Sequence, residues 1–350
     1  MKKKKILFFL FGGVGGAERM TINYGKMLPS DKYKVKYVIC GRETNILRFI
    51  PQGYDVLFIK WRNIHIFPIL RLSRVISRER PNFVFSSTLQ LNIKLLQASN
   101  LMNIPCVVRN DNMLNYVNKH LRNKLIKYYP LAYKIIGQTE EMQDDIIQAT
   151  GLDHNKVICL HNPIDVNLIM EKITMDNNPY PDNDSINYVW VANFLPSKGH
   201  DVLIKAFEIV HEKNPKAHLY FVGKTQPGEV NYERVHNLAS KSNACQYIHF
   251  TGIQSDPYIW MKYANCFVLP SRIEGLPNTL LEAMYLQTPV VASICIPIID
   301  RIIENGYNGY KVLPDHPEEM AEAMEKAILL KNFKMTYQGA TMNDVIALFQ

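Results

Sequence analysis

From its beginning the chain alternates short apolar runs with stretches of helical periodicity, and few folds accept that rhythm. In the first half the runs are ILFFLF, YKVKYVIC, DVLFIK, NFVFSS, PCVVR, YKIIGQ and KVICLHN, with helical patterns over 17–28, 65–79, 90–102, 118–129 and 139–149. Unbroken apolar strands are buried on both faces, and the helices between them supply the cover. The second half starts the pattern again with NYVWVAN, AHLYFVG, YIHFTG, CFVLPS, PVVAS and GYKVL, and helices over 199–213, near 229–241 and after Pro277. Between the halves, MDNNPYPDNDS at 175–185 falls into Asp, Asn and Pro, as a linker does. At 350 residues the chain also exceeds what one core usually supports. Two doubly wound, Rossmann-like α/β domains facing across a cleft are expected, residues 1–166 and 167–334, with a C-terminal helix over about 335–350 packing back on the first.

Composition removes several classes. Hydrophobic residues make up 47% and charged residues 21%, as in ordinary soluble globular proteins. The start MKKKKILFFLFGGVGGAERM has the look of a secretory leader, but its apolar stretch from Ile6 to Phe11 is short and runs into glycines, Glu18 and Arg19. A buried strand turning into a loop is the reading. No run approaches the ~20 apolar residues of a membrane span. The cysteines at 40, 106, 159, 245, 266 and 295 show no CxxC or metal-like spacing, and several lie in apolar runs. Buried free thiols in a reducing cytoplasm are expected. A formal charge of +8 permits affinity for phosphates, nucleic acid or an anionic membrane without choosing among them.

Open parallel sheets bind ligands at the carboxyl ends of their strands, and the loop-rich ends here are FGGVGGAE and SRIEGLPN. The glycine loop at 12–16 could bring backbone close to a ligand or serve only as a tight turn; it does not match the dinucleotide pattern. In VANFLPSKGHDVLIKAF, Lys198 follows a strand and precedes a helix, where a lysine can reach a phosphate as a point charge or stand solvated. RIEGLPNTLLEAM holds Glu274 on a loop and Glu282 on the following helix, with Pro277 suited to the first helical position. The two acids could be a paired device beside an anion-attracting helix start, or solvated side chains; a hydrolase-type acid and nucleophile is a further reading.

The stretch SRIEGLPNTLLEAMYLQTPVVAS closely resembles the E-x7-E segment of glycosyltransferase family 4, retaining enzymes of the GT-B fold. GGAER, IIGQTEEMQDDI, VICLHNPID, VANFLPSKGHDVLIKAF, LYFVG, HFTG and NGYNGYKV agree with it in order and spacing. The resemblance implies that Glu282 holds the ribose hydroxyls of a nucleotide sugar, and that Glu274 faces the donor sugar. It implies that the turn through Gly275 and Leu276 and the amides near Asn278 and Thr279 bind the diphosphate, and that Lys198 neutralises the leaving phosphate. Gly15 and Gly16 would let the first domain close on the donor. No cofactor and no metal are expected. The chain departs from the pattern at Asn193, where many relatives have arginine, and after PVVAS, where ICIPIIDRII replaces a glycine-rich segment. It departs again in VVRNDNMLNY, where many relatives carry a histidine; Asp111 is the candidate for that role, with Arg109 and Asn110 expected on the acceptor side.

Basic and aromatic residues interleave over 60–80 and 119–134, as on a surface that meets an anionic leaflet or simply water. No nucleic-acid module is visible, so no nucleic-acid partner is expected. The resemblance thus implies a retaining hexosyltransferase that moves a hexose or N-acetylhexosamine from a UDP-sugar to a lipid-linked or surface-polysaccharide acceptor. It would act in lipopolysaccharide or capsule synthesis, cytoplasmic and peripheral on the inner membrane face. A sugar-nucleotide epimerase of the same architecture and a non-catalytic nucleotide-sugar-binding subunit are the alternatives.

Overall fold

The computed structural model describes residues 3–42, 44–59, 68–174, 178–182, 184–223, 230–254 and 256–350. The chain divides into two compact units, Met1–Pro163 with Gln338–Gln350, and Ile164–Tyr337. It passes from one to the other at Pro163–Ile164, so the polar stretch at 175–185 lies inside the second unit and is not the crossing point.

The first unit runs β1 (Lys4–Phe11), α1 (Gly16–Lys26), β2 (Tyr33–Cys40), β3 (Asp55–Ile59), α2 (Pro68–Glu79), β4 (Phe83–Ser86), α3 (Leu89–Leu101), β5 (Cys106–Arg109), α4 (Lys119–Tyr128), β6 (Lys134–Gly137), α5 (Glu140–Thr150) and β7 (Val157–Cys159). The strands pair in parallel in the order β3-β2-β1-β4-β5-β6-β7. Ile6 to Leu10 of the central β1 are buried without exception, which is why that stretch reads as a continuous apolar run.

The second unit runs α6 (Val166–Ile173), β8 (Ile186–Val191), α7 (His200–Lys213), β9 (Ala217–Val222), α8 (Val230–Ser240), β10 (Ile248–Gly252), α9 (Pro257–Lys262), β11 (Cys266–Leu269), α10 (Asn278–Tyr285), β12 (Val290–Ser293), α11 (Pro297–Ile302), β13 (Gly309–Val312) and α12 (Pro317–Ala327). Its parallel order is β10-β9-β8-β11-β12-β13. Two sheets of this kind, each with helices between its parallel strands, are Rossmann-like.

A last helix, α13 (Met342–Ala347), returns to the first unit. It is shorter than the expected 335–350, and a capping box between Thr341 and Asp344 sets the helix start. Val345, Leu348 and Phe349 join the core around β1. The apolar ICIPIIDRII stretch forms α11, with Ile298, Ile299 and Ile302 buried. Among the described residues no helix is long and apolar enough to cross a membrane.

Candidate active site

In each sheet the strand order reverses beside the first strand of its unit, between β1 and β4 and between β8 and β11. Crevices for ligands open at the carboxyl ends of such strand pairs. In the second unit, β8 ends in Asn193 to Lys198 and β11 ends in Pro270 to Gly275, so the two loops singled out by sequence come from one switch point.

These loops are joined at the backbone. Gly199 has φ +66, and a Cβ there would lie 1.9 Å from the Pro270 carbonyl oxygen, so only glycine permits this approach. The Arg272 N–H donates to the Ser197 carbonyl at 2.8 Å. The Arg272 guanidinium forks onto both Asp201 oxygens at 2.9 and 2.8 Å, donates to Asp315 at 2.7 Å and reaches the Pro196 carbonyl at 3.3 Å. Arg272 holds the Asp201 carboxyl below its usual range, first by these hydrogen bonds. From inside, Phe194 and His200 stack at 4.9 Å between the rings, and both are buried. Burial pushes the His200 imidazole down to about 3, so it packs there as a neutral ring.

The clamp brings Lys198 Nζ within 2.7 Å of Glu274 Oε1. Ser271 donates its hydroxyl to the same oxygen at 2.7 Å, and the Ser293 hydroxyl donates to the Ser271 carbonyl. Glu274 is only 8% exposed and Glu282 7%, so neither is a solvated acid. Glu282 lies on α10, which begins at Asn278 with Pro277 in the capping position and no side-chain cap. Pro277 therefore stands one place before the helix, and its carbonyl takes the Leu280 N–H at 3.1 Å. Gly275, Asn278 and Thr279 are half-buried and Leu276 is buried, while Asn193 is exposed at the end of β8. Cys295, in the segment after β12, has its thiol pushed up to about 12, by burial first and then by the Glu274 charge. It stands beside the pair as a neutral thiol.

Gly15, Gly16, Asp111, Arg109 and Asn110 belong to the first unit. Gly15 precedes α1, and a Cβ there would meet Glu18 Oε2 at 2.4 Å. The Arg109 and Asn110 side chains, expected on the acceptor side, are instead buried. Arg109 donates to Asn162, Asn162 donates to Gln138 at 3.0 Å, Gln138 donates to the Asn110 carbonyl at 2.7 Å, and Asn110 accepts from Tyr129. They brace the end of β5 from within because buried polar groups need such partners. Asp111, next in the chain, is half-buried, and its carboxyl is raised to about 6 by burial against the opposing pull of Arg109.

Sequence reasoning missed Arg272, Ser271, Ser293 and Cys295. The first two stand inside SRIEGLPN, but nothing local in the sequence marks them as the holders of Lys198 and Glu274.

Residues 14–168 match the family described as Glycosyltransferase Family 4, and residues 172–340 match Glycosyl transferases group 1. An uncharacterised glycosyltransferase of Haemophilus influenzae is 25% identical over 96% of this chain and 93% of its own. The UDP-Gal:alpha-D-GlcNAc-diphosphoundecaprenol alpha-1,3-galactosyltransferase of Escherichia coli is 20% identical over 85% of this chain and 81% of its own. Among solved structures, Anabaena HepE in complex with UDP-glucose superposes with a TM-score of 0.78 at 20% identity, over 99% of this chain and 94% of that one. With two Rossmann-like units and both family matches in register, the chain is a GT-B-fold glycosyltransferase and belongs to glycosyltransferase family 4.

Proposed function

We propose that the protein is a retaining hexosyltransferase taking a hexose or N-acetylhexosamine from a UDP-sugar and giving it to a lipid-linked or polysaccharide acceptor. The observation that carries this is the Lys198–Glu274 pair at the switch point, with Glu274 buried and bonded by Ser271, on two loops that Arg272 ties together. HepE binds UDP-glucose and the E. coli relative is a galactosyltransferase on a diphosphoundecaprenol-linked sugar, which supports the donor and acceptor classes.

In this reading the diphosphate takes Lys198 as its counter-ion, aided by Asn193 and by the amides of Gly275, Asn278 and Thr279 at the start of α10. Charge placed where the leaving oxygen becomes negative lowers the barrier to its departure. Glu282 accepts from the ribose hydroxyls, with Leu276 packed beneath the turn. Glu274 accepts from a sugar hydroxyl and steadies positive charge at the anomeric carbon. The bond from that carbon to the diphosphate breaks as the acceptor oxygen bonds on the same face. The acceptor proton passes to the leaving phosphate oxygen. Asp111 stands on the acceptor side, and Gly15 and Gly16 give the donor room at the first unit. The transfer needs no divalent metal and no cofactor.

A lipid-linked acceptor would be met at the cytoplasmic membrane face. α2 supports this, with Leu70, Arg71, Arg74 and Arg78 exposed on one side and Leu72 and Ile76 buried on the other. On α4, Lys119, Lys124 and Lys127 are exposed. Lys60 and Arg62 of the same basic stretch lie outside the described residues.

The test incubates the protein with UDP-sugars and a lipid-diphosphate sugar acceptor and reads product by mass spectrometry. Glycosylated acceptor is expected, with the anomeric configuration of the donor, and added Mg2+ or Mn2+ should leave the rate unchanged. Lys198→Ala should lower kcat/KM by ~100-fold or more. Conversion of the sugar nucleotide without acceptor would identify an epimerase. Donor binding without turnover would identify a binding subunit.

A further inference from the structure

Away from the donor loops, three residues of unlike chemistry meet at the edge of the first sheet. β6 and β7 pair with Gly137 opposite Cys159, and the Leu160 N–H continues the ladder to the Gly137 carbonyl at 2.9 Å. Cys159 and His161 are two apart on this extended segment, so their side chains leave from the same face. After β6 the chain turns into α5 at Thr139, whose hydroxyl oxygen accepts from the Met142 N–H, and Glu140 is the first helical residue. That turn brings Glu140 Oε1 to 3.3 Å from His161 Nε2. One ligand atom from each of Glu140, Cys159 and His161 lies within 4.8 Å of the others.

We infer that Glu140, Cys159 and His161 form a binding site for a zinc-like divalent cation. A thiolate, an imidazole and a carboxylate together suit a borderline-soft ion of tetrahedral habit, and a thiol is a poor ligand for Mg2+ or Ca2+. Three protein ligands leave the fourth position to water. Bonds of ~2.0–2.3 Å require donor atoms somewhat closer than their present spread. Glu140 is exposed and the other two are half-buried, so an ion can reach the site and the side chains can rotate onto it. The backbone beneath is already fixed, since the His161 carbonyl accepts the Ala340 N–H at 3.1 Å from the returning C-terminal segment. On binding, the Cys159 sulfur gives its proton to solvent and becomes the thiolate ligand.

The site lies beside the buried network of the first unit. His161 precedes Asn162, which accepts from Arg109, and the chain leaves the unit one residue later, after Pro163. An ion here would tie α5 to the residues where the chain leaves the unit and stabilise them. The donor-side residues are untouched, and the inference stands whether or not the transferase reading does.

The test strips the full-length protein with a chelator, then titrates Zn2+ by calorimetry and Co2+ by absorption. One equivalent of Zn2+ should bind and raise the melting temperature, and Co2+ should give a thiolate-to-metal charge-transfer band. Cys159→Ser should abolish that band, and Glu140→Gln and His161→Gln should each weaken Zn2+ binding by at least ~10-fold. Cys245, the exposed thiol, serves as the control. A band absent from the parent protein, kept in Cys159→Ser or lost in Cys245→Ser would overturn the inference. If Cys159→Ser fails to fold, Glu140→Gln decides, because that side chain is exposed; unchanged affinity there would also overturn it.

Discussion

Glu274 gives one oxygen to two donors, the Lys198 ammonium and the Ser271 hydroxyl, each at 2.7 Å. In the proposed transfer this half-buried lysine would exchange that oxygen for an arriving phosphate. At Asp111 the reverse situation holds, a carboxyl that its surroundings press toward the neutral form. Its folded value of about 6 stands above the ordinary 3.8, so the folded chain holds this proton more tightly than the unfolded chain does. The destabilisation from the buried charge is absent below 3.8, grows as the pH rises and is complete above about 6. Asp111→Asn should therefore match the parent in stability at the acid end and exceed it at neutral pH by on the order of 1–3 kcal/mol. Denaturant melts at both pH values check this; equal stability at neutral pH would contradict it.

At the scale of elements, the loops after β8 and β11 act as one piece because Arg272 ties them. Arg272→Ala should lower kcat by ~10–100-fold with a smaller change in donor KM, since the groups remain but lose their placement. Arg272→Lys should recover little, because an ammonium cannot reproduce the two-pronged bond to Asp201. Steady-state kinetics on both variants, with circular dichroism to confirm folding, tests the clamp; parental kcat in Arg272→Ala would exclude it. The strands on either side of this clamp were legible from sequence because buried parallel strands are plain apolar runs. α9 and α11, six residues each, were not, because so short a segment shows barely two turns of periodicity. Glu274, Glu282 and Lys198 stood out in the sequence by their place at strand ends and helix starts. Arg272 did not, since its partners Asp201 and Asp315 lie 71 and 43 positions away and only the fold brings them near. The burial of Arg109 and Asn110 was hidden from the sequence for a related reason. A polar pair at the end of a strand looks available until the fold buries it against Asn162 and Tyr129.

Across the whole molecule, α2 and α4 both pack against α3 and present their cations outward. Each cation near an anionic leaflet contributes ~1 kcal/mol. Replacing Arg71, Arg74 and Arg78 with Gln should weaken binding to phosphatidylglycerol-containing vesicles by ~100-fold. Sedimentation with such vesicles measures this, and unchanged partitioning would remove the membrane reading.

The last residues of the chain also belong to the first core. Phe349 sets its ring 5.9, 5.7 and 6.3 Å from those of Phe8, Phe83 and Phe85, and the Lys4 ammonium donates to its carbonyl at 3.0 Å. During synthesis the second unit therefore has all its parts before the first does. The sheet made earlier lacks α13 beside β1 until that helix has followed the second unit. The unit made first is the one finished last.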